Sequence, residues 1–306
     1  MIASLVIMAA GLGSRYGGDK QVDGIGPRGE ILMEYAIHDA LQAGFRRVVF
    51  IIKPEMEPMV ERLCGGYLRR TELNGQPVEV AYAFQDFTSL PDWYTLPPGR
   101  TKPFGTVHAL LCAEAAAARG PFCVINADDY YGPEAYRTLF AELGRLPEEG
   151  RAVMIGYLLK NTASLYGAVS RGICEVDRGA LRAIRETKRI QLYPDGTLRD
   201  LNADLLLAPD TVVSMNFWGF QPSIFPVLRA YFEDFLRSGA GAELQSECLL
   251  PVMVGDLLER KALEVTVCPS GGRWFGMTYR EDREIVAGEL RKLHGAGLYP
   301  ETLRGS

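Results

Sequence analysis

Two groups of residues could do chemistry on a phosphorylated ligand. The first is the loop "MAAGLGSRYGGDKQ", residues 8–21, where Gly11, Gly13, Gly17 and Gly18 alternate with the cations Arg15 and Lys20, directly behind the apolar run "IASLVIMAA". Glycine is the costliest residue to order, so such a cluster marks a place where backbone approaches something closely. Backbone N–H groups freed by glycine, with two cations beside them, form a receptor for phosphates. The second group is "CVINADDYYG", an apolar strand that ends in the adjacent carboxylates Asp128 and Asp129. Mg2+ takes oxygen ligands and keeps several waters, so one or two carboxylates plus substrate phosphates suffice to hold it. Taken singly, a tight strand-to-helix turn explains the glycines and turn capping explains the aspartates. Both groups sit at strand ends, and together they indicate a metal–nucleotide site.

Rival motifs fit less well. A dinucleotide-binding loop is disfavoured by the two cations and by the lack of an acidic residue closing the second strand, "RVVFIIK". No G-K-[ST] follows the glycines, which excludes a Walker A loop. His38, His108 and His294 are too dispersed for a metal cluster, and Trp93, Trp218 and Trp274 could stack on a base or sugar, although burial explains an aromatic without further help.

The elements that must carry these residues alternate in the first half. "SLVIMAA", "RRVVFII", "VEVAYAFQ" and "PFCVINA" read as strands; "ILMEYAIHDALQAG", closed by Gly44, and "GTVHALLCAEAAAARG" read as helices. That order predicts a parallel sheet covered on both faces. From about Arg151 the texture turns β-rich, with "AVMIGYLL", "GAVSRGICEVD" and "VVSMNFWGF". Helices return in "PSIFPVLRAYFEDFL", "CLLPVMVGDLLER" and "REDREIVAGELRKLHGAG". The expectation is one domain over residues 1–306, with a nucleotide-binding half (1–150) and a substrate half (151–306).

Composition narrows the partners. The 306 residues are 47% apolar and 23% charged, and Lys+Arg 33 against Asp+Glu 38 leaves a net charge of -5. The chain as a whole offers no footprint for nucleic acid or an anionic membrane. An anionic ligand then needs a local basic site. Residues 1–10 lack the positive n-region of a signal peptide, and no apolar stretch approaches ~20 residues. Six cysteines, scattered singly with no C-x-x-C pair, read as buried free thiols in a reducing cytoplasm.

These motifs resemble those of the sugar-phosphate nucleotidyltransferases (nucleotide-sugar pyrophosphorylases), a GT-A-like family. Its opening G-x-G-[ST]-R with a later Lys is met by Gly11, Gly13, Ser14, Arg15 and Lys20, behind Ala10. Its glycine-threonine element is met by Gly105 and Thr106 in "PFGTVHAL", its base-reading glutamine by Gln85, and its metal aspartate by Asp128. "SLYGAVSR" with Gly167, "RETKRI" with Glu186 and Lys188, and "SMNFWGF" with Asn216 resemble the sugar side. The resemblance implies a GT-A/Rossmann-like mixed, mainly parallel sheet flanked by helices, with a β-rich sugar-binding half. It also implies transfer of a nucleotidyl group from an NTP to a sugar 1-phosphate or similar acceptor, with Mg2+ as cofactor. On this reading Arg15 and Lys20 hold the triphosphate, Asp128 holds the metal and Lys188 grips the sugar phosphate. Glu186 and Lys188, two apart on a strand, are expected on one face.

The chain departs from the family's pattern in two places. Relatives carry a second metal-holding residue in a W-x-D-like context, whereas "RWFGMTY" has Gly276 there. Either Asp129, Asp282 or another carboxylate takes over, or the ion has fewer protein ligands. The stretch 86–104 exceeds the family minimum and reads as a lid or a surface loop. The other classes that fit are a GT-A glycosyltransferase and a non-catalytic nucleotide-sugar-binding protein.

Overall fold

The computed structural model describes residues 2–11, 24–277, 279 and 281–304, so Gly13, Ser14, Arg15 and Lys20 of the glycine loop lie outside the described residues. β1 (Ser4–Met8) is followed by α1 (Leu32–Ala43), β2 (Arg47–Ile52), an irregular helical stretch over 54–68, β3 (Glu79–Phe84) and α2 (Thr106–Cys112). Next come β4 (Phe122–Asn126), the two-residue β5 (Asp129–Tyr130) and α3 (Pro133–Leu143). The second half is strand-rich: β6 (Arg151–Leu158), β7 (Val169–Asp177), β8 (Ala180–Leu192), β9 (Leu198–Asp200), β10 (Leu205–Leu207) and β11 (Val212–Phe220). It continues with α4 (Ile224–Arg237), α5 (Leu250–Glu259), β12 (Glu264–Pro269), β13 (Phe275–Gly276) and α6 (Asp282–Gly295).

Eleven described strands from both halves share one sheet, ordered β10-β9-β8-β12-β6-β11-β4-β1-β2-β3, with β7 pairing β8 and β11. Apart from the terminal residues Ser4, Arg47 and Asn126, β1, β2 and β4 are apolar because helices cover both of their faces. β3, β2, β1 and β4 are parallel, as expected.

Beyond β4 the expectation of a mainly parallel sheet fails, and the sheet is mixed. β11 runs antiparallel to β4, β6 and β7, and β8 runs antiparallel to β7, β9 and β12. Among these strands only β12 and β6 pair in parallel. Short hairpin connections account for the antiparallel β7–β8, β8–β9 and β9–β10 pairs, since a parallel pair needs a long crossover. The β7–β8 turn has Arg178 and Gly179 both left-handed, at φ 50° and 78°, as a tight two-residue hairpin turn requires.

α1 and α3 cover one face of the sheet, and α2, α4 and α5 cover the other. α1 stops at Gly44, where φ is 120° and a Cβ would meet the Phe140 ring at 2.7 Å. The helix expected over "GTVHALLCAEAAAARG" breaks at Ala113 into α2 and a short turn over 114–117. A third, smaller core joins Ile25, Tyr35 of α1, Tyr130 of β5, Leu290 of α6 and Tyr299 of the tail. No described helix is long and apolar enough to cross a membrane. All six cysteines are free thiols, and only Cys112 is half-exposed.

Candidate active site

The four parallel strands deliver their following residues to one edge of the sheet. Ala9 N donates to Ile51 O (2.8 Å), Gln85 N to Ile52 O (2.8 Å) and Ala127 N to Met8 O (3.3 Å), so the ladder continues past each strand end. Ala10 and Gly11 leave from the middle, Gln85 from one side and Asp128 from the other. Neighbouring strands lie ~4.8 Å apart, which puts the ends of β3 and β4 roughly 14 Å from each other. That span suits an extended ligand laid along the edge.

At the β3 end, Gln85 Nε2 donates to Gly105 O (3.0 Å). Gly105 has φ 88°, and a Cβ there would stand 2.9 Å from Cys248 O, so only glycine fits. Thr106 Oγ1 accepts from Leu250 N (2.7 Å), and Cys248 N donates to Phe104 O (2.7 Å). Gln85, Gly105 and Thr106 thus form one unit braced against the start of α5. The stretch 86–104 packs beside it as an anchored loop. Arg100, almost wholly buried, donates to Glu243 O and Ser246 O and stacks 3.5 Å from the Phe104 centroid. Tyr94 OH donates to Gly241 O (2.6 Å).

At the β4 end, Ala127 and Asp128 form the turn between β4 and β5, with Asp128 half-buried. Asp129 is 7% exposed, and its Oδ2 accepts from Asn126 Nδ2 (2.8 Å). Tyr131 OH accepts from Asn126 N (3.1 Å) and has two acceptors for its one proton, Met215 O (2.9 Å) and Asp129 Oδ2 (3.1 Å). Burial raises the Tyr131 pKa far above the usual phenol value, with Asp129 adding to it, so the hydroxyl stays neutral. Asn216 is left-handed at φ 58°, where β11 slips register between Ser214 and Trp218, and its Nδ2 donates to Asn126 Oδ1 (3.4 Å). Gly276 faces Asp129 in the β13–β5 pair, and a Cβ on it would lie 2.6 Å from Asp129 Oδ1. Asp282 instead fastens the start of α6: its Oδ2 accepts from Tyr279 N (2.7 Å) and its Oδ1 from Ser164 Oγ (3.2 Å).

The donor set around this turn is oxygen-rich. Among the described residues no group of three His, Cys, Asp or Glu side chains converges on a metal position. A hard cation that takes one or two carboxylates and completes its shell with phosphate and water oxygens fits such a turn.

On the second-half side, Glu186 is half-buried and Lys188 exposed on β8. Burial raises the Glu186 pKa, while Arg171 and Lys188 draw it down, so its carboxylate lies near both cations. Lys188 falls in the register slip between Thr187 and Ile190, which interrupts the simple alternation that put it on the Glu186 face. Gly167 is covered by Tyr279, whose ring occupies the space of a Cβ and whose hydroxyl donates to Ala168 O (2.5 Å). A side chain at 167 would therefore have to displace the Tyr279 ring. Arg171 is a neighbour that sequence reasoning missed: it donates to Thr162 O and lies 5.0 Å over the Trp274 ring. Asn126 and Tyr131 were missed too. Their only signal is that they stand on either side of the aspartate pair.

The nucleotidyl transferase family model matches residues 5–191. Over 225 residues the chain is 26% identical to the bifunctional protein GlmU of Hyphomonas neptunium, which covers 70% of this chain and 41% of that protein. The chain therefore spans less than half the length of that curated relative. Its fold is shared with a UDP-glucose pyrophosphorylase solved with UDP-glucose, at TM-score 0.60 and 15% identity over 95% of this chain and 99% of that one. It is also shared with the inositol-1-phosphate CTP transferase of T. maritima, at TM-score 0.62 and 12% identity over 95% and 97%.

Proposed function

We propose that this chain, which belongs to the nucleotidyl transferase family, transfers a nucleotidyl group from a nucleoside triphosphate to a sugar 1-phosphate or a similar phosphorylated acceptor. The products are a nucleoside-diphosphate sugar and pyrophosphate. The observation that carries this reading is the order of strand ends along one sheet edge: Gln85 with Gly105 and Thr106, then Ala10 and Gly11, then Asp128. The base lies at the first, the triphosphate at the second and the reacting phosphorus near the third. Residues 1–150 form the nucleotide half and 151–306 the acceptor half of one GT-A-like domain. A reducing cytoplasm suits its free thiols.

An oxygen of the acceptor phosphate attacks the α-phosphorus, and the bond to the bridging oxygen of the pyrophosphate breaks. The nucleophile is ionised at neutral pH, so alignment and charge neutralisation remain for the protein to supply. Arg15 and Lys20, with Gly13 and Ser14, are the residues we assign to binding the triphosphate. Lys188 holds the acceptor phosphate as a point charge, and Glu186 and Asn216 take its hydroxyls. Asp128 would hold Mg2+; of the two candidates for a second ligand, Asp282 is engaged at the start of α6 and Asp129 is held by Asn126 and Tyr131. When bound, the ion neutralises phosphate charge.

Pyrophosphate release from five NTPs, each paired with a panel of sugar 1-phosphates, tests the proposal. Release with one or a few pairs supports it. Tight nucleotide-sugar binding with no release favours a binding protein, and consumption of a nucleotide sugar without pyrophosphate favours a glycosyltransferase.

A further inference from the structure

We infer that Asn126 and Asp129 form a clamp across the turn that carries Asp128, which makes both of them positioning residues. The bond from Asn126 Nδ2 to Asp129 Oδ2, 2.8 Å long, joins the residues on either side of the two-residue turn Ala127–Asp128. It closes a ring over the turn and fixes the direction in which Asp128 leaves the backbone.

Each end of the clamp is held from outside. Asn126 Oδ1 accepts from Asn216 Nδ2 (3.4 Å), and Asn126 N donates to Tyr131 OH (3.1 Å), which itself stands 3.1 Å from Asp129 Oδ2. Asn216 reaches Asn126 only because β11 slips register there and takes a left-handed residue, a conformation that costs a non-glycine residue stability. On the other side Gly276 leaves the space into which Asp129 Oδ1 fits, since any Cβ would lie 2.6 Å from it. Asn126 of β4 and Gly276 of β13 therefore meet at the Asp129 carboxylate, and Asn216 of β11 holds Asn126 from the far side. That carboxylate is oriented by protein groups before any ligand arrives, as supporting residues of a site must be. Asp129 accordingly acts as a brace for the turn from which Asp128 presents its carboxylate to the ligand.

The inference rests on the reading of Asp128 as the metal-holding residue. Its test uses Asn126→Ala, Asp129→Asn, Tyr131→Phe and the exchange Asn126→Asp with Asp129→Asn. The exchange rebuilds the amide–carboxylate bond with reversed polarity. The readouts are kcat, the KM for NTP, and Mn2+ binding followed through the loss of its free paramagnetic resonance signal. The three single variants should lose kcat on the order of 10²-fold while the KM for NTP and the Mn2+ affinity stay within about twofold, since misplacing a reacting group costs rate more than binding. The exchange should recover most of the rate. Loss of Mn2+ affinity in Asp129→Asn that the exchange does not restore makes Asp129 a ligand and overturns the inference. Wild-type kinetics in Asn126→Ala and Tyr131→Phe also overturn it. If Asp128→Asn itself keeps full turnover and Mn2+ affinity, the reading of Asp128 is what fails.

Discussion

Replacing Asp39 with asparagine should remove a pH dependence that this one carboxylate imposes on folding. Asp39 sits on α1, 2% exposed, and accepts a hydrogen bond from Tyr299 OH (2.9 Å), which lies 2.7 Å from Tyr130 OH. Burial pushes its pKa up to about 8 from an ordinary 3.8, against the opposing pull of the Tyr299 hydrogen bond and of Arg137. The His38 ring packs on Tyr299, and its pKa is lowered by burial and by His294. Because the folded pKa of Asp39 is raised, the folded chain keeps a proton that the unfolded chain gives up. The group costs nothing below about pH 4; above it, stability falls by ~1.4 kcal/mol per pH unit until about pH 8. Between pH 5 and 7 the loss is about 3 kcal/mol. The asparagine side chain would still accept from Tyr299 but cannot titrate. Urea unfolding of wild type and Asp39→Asn at pH 5, 6 and 7 should show the difference in unfolding free energy moving by about 3 kcal/mol in favour of the variant. Parallel pH profiles would refute the reasoning, because they would mean that Asp39 is ionised in the folded chain at ordinary pH.

Arg100→Ala should destabilise the protein by about 3 kcal/mol, since it strips the donors from Glu243 O and Ser246 O and empties the space over Phe104; chemical denaturation measures it. Gly105→Ala should cost more than ~1 kcal/mol of stability and raise the KM for NTP, because φ 88° and the carbonyl of Cys248 both exclude a Cβ; kinetics beside a melting curve check the pair. Lys188→Ala should weaken sugar 1-phosphate binding and leave NTP binding, measured calorimetrically without sugar, nearly unchanged. Equal loss of both, or of neither, withdraws Lys188 from the acceptor side.

The central strands were legible because parallel strands buried on both faces must be apolar along their length, as β1 is after Ser4 and β2 after Arg47. Strand direction was not, because a run such as "VVSMNFWGF" reads the same in either orientation. Only the folded chain shows β11 wedged antiparallel between β4 and β6. Asp128 was visible as a carboxylate at a strand end, and Gln85 and Gly105 came from the family resemblance. The supports of Asp128 were invisible, since Asn126 meets Asn216 across 90 positions and Gly276 faces Asp129 across more. The same holds for Asp39 and Tyr299, which read as an unremarkable helix residue and an unremarkable tail residue until the tail folds back onto α1.

The most direct test of the proposed chemistry is pyrophosphate release by wild type and Asp128→Asn, with Mg2+ and the triphosphate and sugar phosphate that the screen identifies. Removing the half-buried carboxylate from the turn after β4 should leave the fold intact and slow release on the order of 10²–10³-fold, the loss expected when one group that stabilises developing charge is deleted. Release at the wild-type rate would make Asp128 a turn residue and contradict the assignment of the metal to this strand end.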